Sequence, residues 1–319
     1  MTTFSIIIPV KPGGHVAAGE QLKKIMPDDP RYEVLLAEGC APSQQRNRAA
    51  QEALGDILYF LDDDSLLFPE NLAICSDAMS DRTVAVAGGP SLTPAGDSRL
   101  QQLIGFALAS AFGSGAVHNR YRSHGEPRAT SDKELILCNL AFRRQVFIDL
   151  GGFNERLYPN EENELLERVT AAGHAVLHIP AMAVLRSQRR TLKAFIRQMF
   201  TYGRGRGEQT LITGSYSLTS FIPLFFVVYL ILALLCVKYV LLLVPLVIYL
   251  LAAMVSSLGV LRRTGRLFSL LLIGIYPLMH SVNGAGLLWG LLNGKPDPVH
   301  DNAIRIRRLK GLCGTFFEQ

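Results

Sequence analysis

The sequence predicts an α/β domain followed by a helical, membrane-embedded C-terminal region. Three short apolar runs, Phe4–Val10, Tyr32–Ala37 and Ile57–Leu61, alternate with helical stretches. This βαβαβ order is typical of an open sheet with right-handed crossovers. Residues 218–293, in contrast, carry almost no charge. The two parts of the chain are therefore expected to face different environments.

Further elements of the α/β domain follow from apolar runs, turn residues and helix caps. Each run is short and bounded by glycine, proline or polar residues, as in a compact domain. Strands are expected at residues 83–87, 135–142 and 174–179, and helices at 21–26, from 43 to near 55, at 69–79 and from 160 to near 173.

Three consecutive carboxylates, Asp62, Asp63 and Asp64, follow directly after the strand pattern of Ile57–Leu61. Open α/β sheets bind their ligands at the carboxyl ends of their strands. Adjacent carboxylates repel one another unless a cation lies among them, and Mg²⁺ and Mn²⁺ prefer oxygen ligands. The cluster therefore indicates a divalent-metal site. The alternative is a solvated acidic turn before the helix at Pro69.

The C-terminal part contains three long apolar stretches: Leu218–Val237, Tyr239–Leu261 and Leu267–Asn293. A helix of about 20 apolar residues is long enough to cross a hydrocarbon core of roughly 30 Å. These stretches divide the chain into an α/β domain at 1–210, a transmembrane region of two to three helices at 211–293 and a basic tail at 294–319.

Two basic runs flank the apolar stretches. Seven cations and no acid lie between Arg186 and Arg206, and a second run lies in Arg305–Lys310. Nucleic acid is one conceivable partner of such runs, but their position beside apolar stretches favours anionic lipids, and we expect no nucleic-acid partner. Residues 190–203 alternate cations with apolar residues, which predicts a basic amphipathic helix on the membrane surface. The alternative is an ordinary surface helix packed on the domain.

The basic residues also predict an orientation in the membrane. The run before the first apolar stretch and the connector Arg262–Arg266 after the second both favour the cytoplasmic side. A third full span would then put the basic tail outside. We expect instead that the third stretch is a re-entrant or surface-lying hairpin bent around Pro277 and Gly284.

The five cysteines are widely spaced and form no Cys-x-x-Cys pair. This spacing argues against a disulfide framework or a zinc site and fits a reducing compartment. The N-terminus starts with a strand-like run and lacks a basic segment, so we expect no cleavable signal peptide.

Several short motifs occur in a characteristic order: a strand ending in Pro9 and Val10, Leu61–Ser65, Phe142–Arg144 before Gly151–Phe153, and Glu161–Leu165. Over roughly residues 1–210 this order resembles the family-2 inverting glycosyltransferases. The apolar part looks like that of membrane-bound members that build bacterial exopolysaccharide, such as the succinoglycan type. The resemblance implies a Rossmann-like nucleotide-diphospho-sugar transferase (GT-A) domain that faces the cytoplasm from the bacterial inner membrane.

The resemblance also implies roles for individual residues. The expected donor-nucleotide residues are Pro9, Val10, Glu38, Arg46, Asp62 and Asp63. Asp62 and Asp64 would bind a Mg²⁺ or Mn²⁺ ion that bridges the donor diphosphate, and Glu162, with Glu161 beside it, would be the catalytic base. The family's usual glutamate–aspartate pair is Glu161-Glu162 here, and the Gln-x-x-Arg-Trp motif of processive synthases is absent from the sequence. Transfer of a single sugar is therefore favoured over polymerisation.

The chemistry of sugar transfer requires these residue types. Displacement of a nucleoside diphosphate leaves charge on the phosphates, which a divalent cation neutralises, and the attacking hydroxyl must give its proton to a general base. The resemblance implies a hexosyltransferase that uses a nucleotide-sugar donor, UDP-linked, and a polyprenyl-diphosphate-linked or growing glycan acceptor. Arg204 and Arg206 are expected to contact the diphosphate or the acceptor, with lipid headgroups as the alternative. For Glu161 and Glu162, the alternative is a pair of acids that only complements a helix dipole.

Two other functions stay open. A nucleotidyltransferase would carry a basic, glycine-rich loop after the first strand, and Lys11–Gly14 is a poor match. A membrane transporter, or a scaffold with an inactive nucleotide-sugar domain, is the alternative from a different class. The lack of acids between Leu218 and Leu261 argues against an ion-coupled transporter, and the three aspartates argue against an inactive domain. The sequence does not predict the oligomeric state.

Overall fold

The computed structural model describes residues 1–214, 216–236, 238–294 and 303–317. The chain divides into two compact units. The first contains Met1–Leu92, Asn119–Arg186 and the C-terminal segment, and the second contains Thr93–His118 and the helices that follow Ser187. This differs from the linear division at residues 210 and 293, because residues 93–118 group with the apolar helices and the C-terminal segment joins the sheet.

Two sheets form the core of the first unit. The large sheet has eight strands in the order β11-β2-β1-β3-β8-β5-β9-β7, and a small sheet has the order β4-β10-β6. The strands are β1 Phe4–Val10, β2 Tyr32–Glu38, β3 Ile57–Leu61, β4 Leu66–Leu67, β5 Val84–Gly88, β6 Ser91–Leu92, β7 Arg128–Ala129, β8 Asn139–Arg143, β9 Ala175–His178, β10 Val184–Leu185 and β11 Arg305–Lys310.

Eleven α-helices lie in the described residues, together with 3-10 segments at Gly115–Tyr121, Leu218–Phe221, Val240–Leu243 and Leu267–Leu271. The α-helices are α1 Ala17–Ile25, α2 Pro42–Glu52, α3 Glu70–Ala78, α4 Arg99–Leu108, α5 Ala111–Ser114, α6 Arg144–Asp149, α7 Glu161–Ala171, α8 Leu192–Thr213, α9 Ile222–Leu235, α10 Val244–Thr264 and α11 Leu272–Leu292.

The large sheet is covered on both faces, which explains why its central strands are apolar without alternation. Side chains from α1 and α3 pack on one face, and side chains from α2, α6 and α7 pack on the other. The strand β3 has the predicted bounds and is fully buried. Strands β1, β2 and β3 run parallel, so their carboxyl ends lie at one edge. The predicted α/β fold is therefore confirmed.

Three helical stretches of the second unit are long and apolar enough to cross a membrane: Leu218–Leu235, Val240–Thr264 and Leu267–Leu292. They match the predicted apolar stretches; Val237, the expected end of the first, lies outside the described residues. Helices α4 and α5, with the 3-10 segment that follows them, form a further apolar pair bent by 66°. The predicted surface helix is part of the longer α8.

The expected hairpin in the third apolar stretch is wrong. Helix α11 continues through both Pro277 and Gly284. Proline removes one backbone hydrogen bond, here to Ile273, and neighbouring helices or local adjustment compensate for that loss in apolar surroundings. Gly284 packs against the backbone of Pro223, so it serves a close helix contact rather than a turn.

Part of the basic tail predicted at 294–319 is a strand of the large sheet. Strand β11 pairs antiparallel with β2, from Arg305 opposite Glu38 to Lys310 opposite Val34. The ammonium group of Lys310, which is fully buried, donates to the backbone oxygens of Tyr32 at 2.9 Å and Asp29 at 2.7 Å. Residues 295–302 and 318–319 of the predicted tail lie outside the described residues.

Replacement of Arg308 by methionine is expected to lower the stability of the sheet unit by about 3 kcal/mol, since it leaves a buried charge without its partner. The Arg308 Nε atom lies 2.9 Å from the Glu33 carboxylate, and Glu33 is fully buried. The matched control is Arg307→Met, because Arg307 is on the same strand and exposed. Thermal unfolding of both purified variants measures the effect. Equal melting temperatures for the two variants would contradict the anchoring role of Arg308.

Candidate active site

The three aspartates lie at the carboxyl edge of the large sheet, directly after β3. The turn is held by backbone hydrogen bonds: Ser65 N donates to Asp62 O at 3.1 Å, and Ala18 N donates to Asp63 O at 3.0 Å. The ends of β1 and β2 meet the same edge, where Val10 is in register with Glu38. The three aspartates are held in place by the buried strand β3 that precedes them, and they are partly or fully exposed.

Arg186 joins two of the three carboxylates. Its Nη2 atom lies 3.0 Å from Asp62 Oδ2, and its Nε donates to Asp64 Oδ1 at 2.6 Å. Arg186 directly follows β10, whose pairing with β6 and β4 holds it beside the turn. Asp62 and Asp64 therefore converge on one cationic group.

Arg46 connects this turn with the first turn of α7. Its Nη2 donates to Asp62 Oδ1 at 2.9 Å, and its Nη1 donates to Glu161 Oε1 at 2.9 Å. The Arg46 side chain is buried on α2, so these charge-assisted hydrogen bonds are shielded from water. Carboxylates that are far apart in the sequence thus belong to one site.

Helix α7 places Glu161 and Glu162 at its N-terminus. The residue before it, Asn160, has a φ of 86°, a left-handed conformation that asparagine tolerates better than most residues. Its side-chain oxygen accepts a hydrogen bond from Asn163 Nδ2 at 3.0 Å, which fixes the start of the helix. Both glutamates are buried, and an N-terminal helix turn favours their negative charge.

Arg120 contacts the second of these glutamates. Its Nη1 lies 3.5 Å from Glu162 Oε1, and its Nη2 donates to Asn163 Oδ1 at 2.6 Å. The same guanidinium donates to the backbone oxygens of Asp132 and Lys133, which ties the segment 119–134 to α7. Each of the two glutamates is thus paired with its own arginine.

The pKa values of two carboxyl groups at this site, Asp63 and Glu161, are raised. Burial raises the pKa of Asp63, and the carboxylates of Asp64 and Asp62 add to this shift. Burial likewise raises the pKa of Glu161; the Arg46 guanidinium opposes this shift and the Glu162 carboxylate adds to it. Excess negative charge is therefore concentrated where a cationic ligand would be favoured.

The residues expected near the nucleotide lie at the ends of β1 and β2. The Glu38 carboxylate accepts a hydrogen bond from Gly13 N at 2.9 Å, so it orders the turn after β1. The backbone oxygen of Val10 accepts from Gln45 Nε2 at 2.9 Å, and Pro9 lies beside it in the strand. Val10 and Glu38 are thus in register at the carboxyl ends of β1 and β2, and Pro9 precedes Val10 in the strand.

Arg204 and Arg206 lie on α8, in the second compact unit. Arg204 forms an ion pair with Glu208, one turn further along, at 3.3 Å. Their role as contacts to the diphosphate or acceptor stays a prediction.

The carboxylates of the acidic turn fit a divalent cation that is also bound by the donor phosphates. In the part of the chain that the structure describes, no group of three or more histidine, cysteine or acidic side chains is placed to hold a metal. Mg²⁺ and related ions, however, are often bound by one or two carboxylates plus substrate phosphates. Asp62 and Asp64, which already share one cation in Arg186, provide that smaller donor set.

Sequence reasoning missed the roles of Arg120 and Arg186. Arg186 is the first residue of a basic run, and no motif in the sequence sets Arg120 apart from other cations. Both reach carboxylates that are distant along the chain. The strand β10 is only two residues long, which is too short for an apolar pattern to predict that Arg186 follows a strand at this edge.

A family model described as glycosyl transferase family group 2 matches residues 57–291, which is well over half of the chain. The chain belongs to this family. The match starts at β3 and includes the aspartates, α7 and nearly all of the apolar helices. The membership confirms the expected family and supports a glycosyltransferase, while a search of curated proteins finds no match.

A solved glycosyltransferase structure, PcManGT, resembles this chain in fold. The mannosyltransferase PcManGT from Pyrobaculum calidifontis, solved with GDP-Man and Mn²⁺, is 16% identical with a TM-score of 0.55; the alignment covers 92% of this chain and 88% of that one. S. aureus TarS 1-349 with UDP-GlcNAc is 13% identical with a TM-score of 0.45, covering 89% and 90% of the two chains. The expected GT-A-like sheet followed by apolar C-terminal helices is confirmed.

Proposed function

We propose that this glycosyltransferase is a membrane-bound, inverting hexosyltransferase. It moves one sugar from a nucleotide-sugar, UDP-linked, to a polyprenyl-diphosphate-linked or growing polysaccharide acceptor in cell-surface glycan biosynthesis. The observation that carries this proposal is the double ion pair of Arg46, which joins Asp62 to Glu161. It places Asp62, which is suited to a metal ion that binds the donor diphosphate, next to Glu161, whose neighbour Glu162 is suited to proton removal.

The donor binds at the carboxyl edge of the sheet. Pro9, Val10 and Glu38 face the base and ribose, while Arg46 and Asp63 border the diphosphate. Asp62 and Asp64 would hold a Mg²⁺ or Mn²⁺ ion, which would supply Lewis-acid neutralisation of charge on the leaving diphosphate. The Mn²⁺ in the PcManGT complex supports a divalent metal for the family fold.

Glu162 serves as general base. Its carboxylate takes the proton from the acceptor hydroxyl as the oxygen attacks the anomeric carbon. Attack on the face opposite the leaving diphosphate inverts the anomeric configuration. Glu161 is held by Arg46 and keeps the first turn of α7 against the donor site.

The proposed setting is a bacterial inner membrane with residues 1–210 on the cytoplasmic side, the transmembrane region at 211–293 and the basic segment 294–319. Helix α8, which contains most of the segment 190–203, lies on the membrane surface. Arg204 and Arg206 contact the diphosphate of a lipid-linked acceptor. A lipid-linked acceptor suits this arrangement because its reactive end stays at the headgroup layer, where α8 lies.

The stereochemical outcome tests the inverting mechanism. Incubation with an α-linked nucleotide-sugar and lipid extract should give a β-linked product, as measured by proton NMR of the released glycan. An α-linked product would contradict a single displacement with Glu162 as base. A catalytically inactive scaffold, the alternative function, would bind a nucleotide-sugar without forming either product.

Arg120 is expected to act as a positioning residue for Glu162. Replacement of Arg120 by alanine should lower kcat by about 10- to 100-fold with little change in the donor KM, because the base loses its orientation while the donor site is kept. Arg120→Lys should restore part of kcat. The matched control is Arg122→Ala in the same segment, where Nε donates to Asn119. A parallel loss of kcat and donor affinity in Arg120→Ala would contradict this role.

A further inference from the structure

Strand β11 constrains how the chain passes through the membrane. The three apolar helical stretches lie between α8, which follows β10, and β11, which pairs with β2 in the large sheet. A sheet forms only on one side of a bilayer, so the chain must return to the side from which it entered. An even number of crossings is therefore required, although three helices are long enough to cross.

We propose that α9 and α10 cross the membrane as a pair, whereas α11 lies along the headgroup region on the side of the sheet, together with α8. The surface formed by α8 and α11 thus binds the lipid headgroups of that leaflet. This inference depends on the proposed membrane location and not on the proposed chemistry.

Helix α11 is more buried inside the protein than α9 and α10. Only 6% of the most apolar window of the first stretch and 11% of the second are buried inside the protein, compared with 33% for the third. The third stretch is also the least apolar of the three. Helices α9 and α10 therefore offer nearly their whole circumference to lipid, as membrane-crossing helices of a small bundle do.

Helix α11 is packed backbone to backbone against α8. Gly203 and Gly207 of α8 lie against the backbone of α11, and Gly286 and Gly290 of α11 lie against the backbone of α8. Both pairs have the Gly-x-x-x-Gly spacing, which allows two helices to approach closely. Asn283 Nδ2 also donates to Met199 O at 3.2 Å. The contact runs in parallel over two turns, so the two helices share one depth along this length.

Helix α8 is too polar for the hydrocarbon core. It carries Lys193, Arg197, Arg204, Arg206 and Glu208. A single charged residue at the bilayer centre costs about 2.5–3.5 kcal/mol or more, so a helix with five such residues stays at the interface. The part of α11 that packs along α8 must then lie at the interface as well.

The other neighbours of α11 support the same position. His280 hydrogen-bonds with its Nε2 atom to Gly113 O at 2.8 Å. Gly113 belongs to the bent pair of α4 and α5, and the segments before Thr93 and after His118 both belong to the sheet unit. This pair must also return to the side from which it starts. Helix α11 is therefore in contact with two segments that do not cross, and it also contacts the crossing pair through Tyr249 OH of α10, 2.8 Å from His280 Nδ1, and Pro223 of α9.

The basic connector between α10 and α11 agrees with this arrangement. Arg262, Arg263 and Arg266 are exposed and precede the first turn of the third stretch. With α9 and α10 as the crossing pair, these cations lie on the same side as the sheet, as the positive-inside rule favours for the cytoplasm.

Native cysteines provide the test. Cys40 is exposed on the sheet unit, Cys313 is exposed after β11, and Cys236 is partly exposed at the end of α9, while Cys75 and Cys138 are buried. Three variants each keep one of the accessible cysteines, and a fourth keeps none of them but carries Arg266→Cys. All four are labelled with a membrane-impermeant maleimide in vesicles of both orientations. Labelling after mild detergent treatment normalises each signal.

The proposal predicts that Cys40, Cys313 and the cysteine at position 266 are labelled from one side, and Cys236 only from the other. Labelling of Cys313 from the side opposite Cys40 would overturn the even number of crossings. Labelling of Cys236 from the side of Cys40 would show that α9 does not cross. Labelling of position 266 from the side of Cys236 would place α11 across the membrane.

Discussion

The Glu162→Gln variant is expected to transfer sugar about a thousand-fold more slowly than the wild type, within the range of general-base catalysis. Glutamine keeps the size and hydrogen-bonding ability of the side chain but cannot accept the proton of the acceptor hydroxyl. The donor site, which is built from other residues, is kept, so donor affinity should stay within about two-fold of the wild type. Single-turnover transfer and nucleotide-sugar binding measure the two quantities separately.

The matched control for this variant is Glu167→Gln, which makes the same change on the same helix. Glu167 lies more than one turn beyond Glu162 and is only partly buried. Its replacement should leave the transfer rate close to that of the wild type. If Glu162→Gln retained more than about a tenth of the wild-type rate, the effect would be too small for the loss of a general base, and another residue would have to accept the proton.

The Asp64→Asn variant is expected to lose metal-dependent donor binding by about 100-fold or more, since a carboxylate–metal contact contributes several kcal/mol. Asp64 is a better choice for this test than Asp62, because Asp62 also accepts a hydrogen bond from Arg46. Replacement of Asp62 would therefore disturb α7 as well. Isothermal titration of a nucleotide-sugar, with Mn²⁺ and with a chelator, measures the loss. In the wild type, the chelator should reduce affinity to the level of Asp64→Asn.

Asp77→Asn is the control for Asp64→Asn, because Asp77 is exposed on α3. This variant should bind Mn²⁺ and donor as the wild type does. If Asp64→Asn kept the same response to Mn²⁺ as the wild type, the acidic turn would not be the metal site. The pairing of its carboxylates with Arg186 would then be structural.

Local patterns predicted the sheet and the acidic edge well. The strand β3 ends at Leu61 because three adjacent carboxylates cannot remain in a buried strand, and this reason is visible in the sequence alone. The start of α7 was predicted from acids that complement a helix N-terminus. Both features depend on neighbouring residues, so no knowledge of tertiary contacts was needed.

Features that depend on distant partners were not predicted. The strand β11 forms because Arg308 and Lys310 find partners near β2, far away along the chain. The contacts of Arg46, Arg120 and Arg186 with carboxylates depend on how helices and loops meet at the sheet edge. The hairpin at Pro277 was predicted from a local rule, but contacts between neighbouring helices keep α11 continuous.

The most direct test of the proposed function is the release of nucleoside diphosphate from a panel of nucleotide-sugars, including UDP- and GDP-linked sugars. Membranes that contain the wild type, Asp64→Asn or Glu162→Gln are supplied with Mn²⁺ and lipid extract. We predict turnover of one donor by the wild type, abolished by a chelator and lost in both variants. No turnover of any donor by the wild type would contradict the proposed transferase, and retained binding of a nucleotide-sugar would then favour the inactive scaffold.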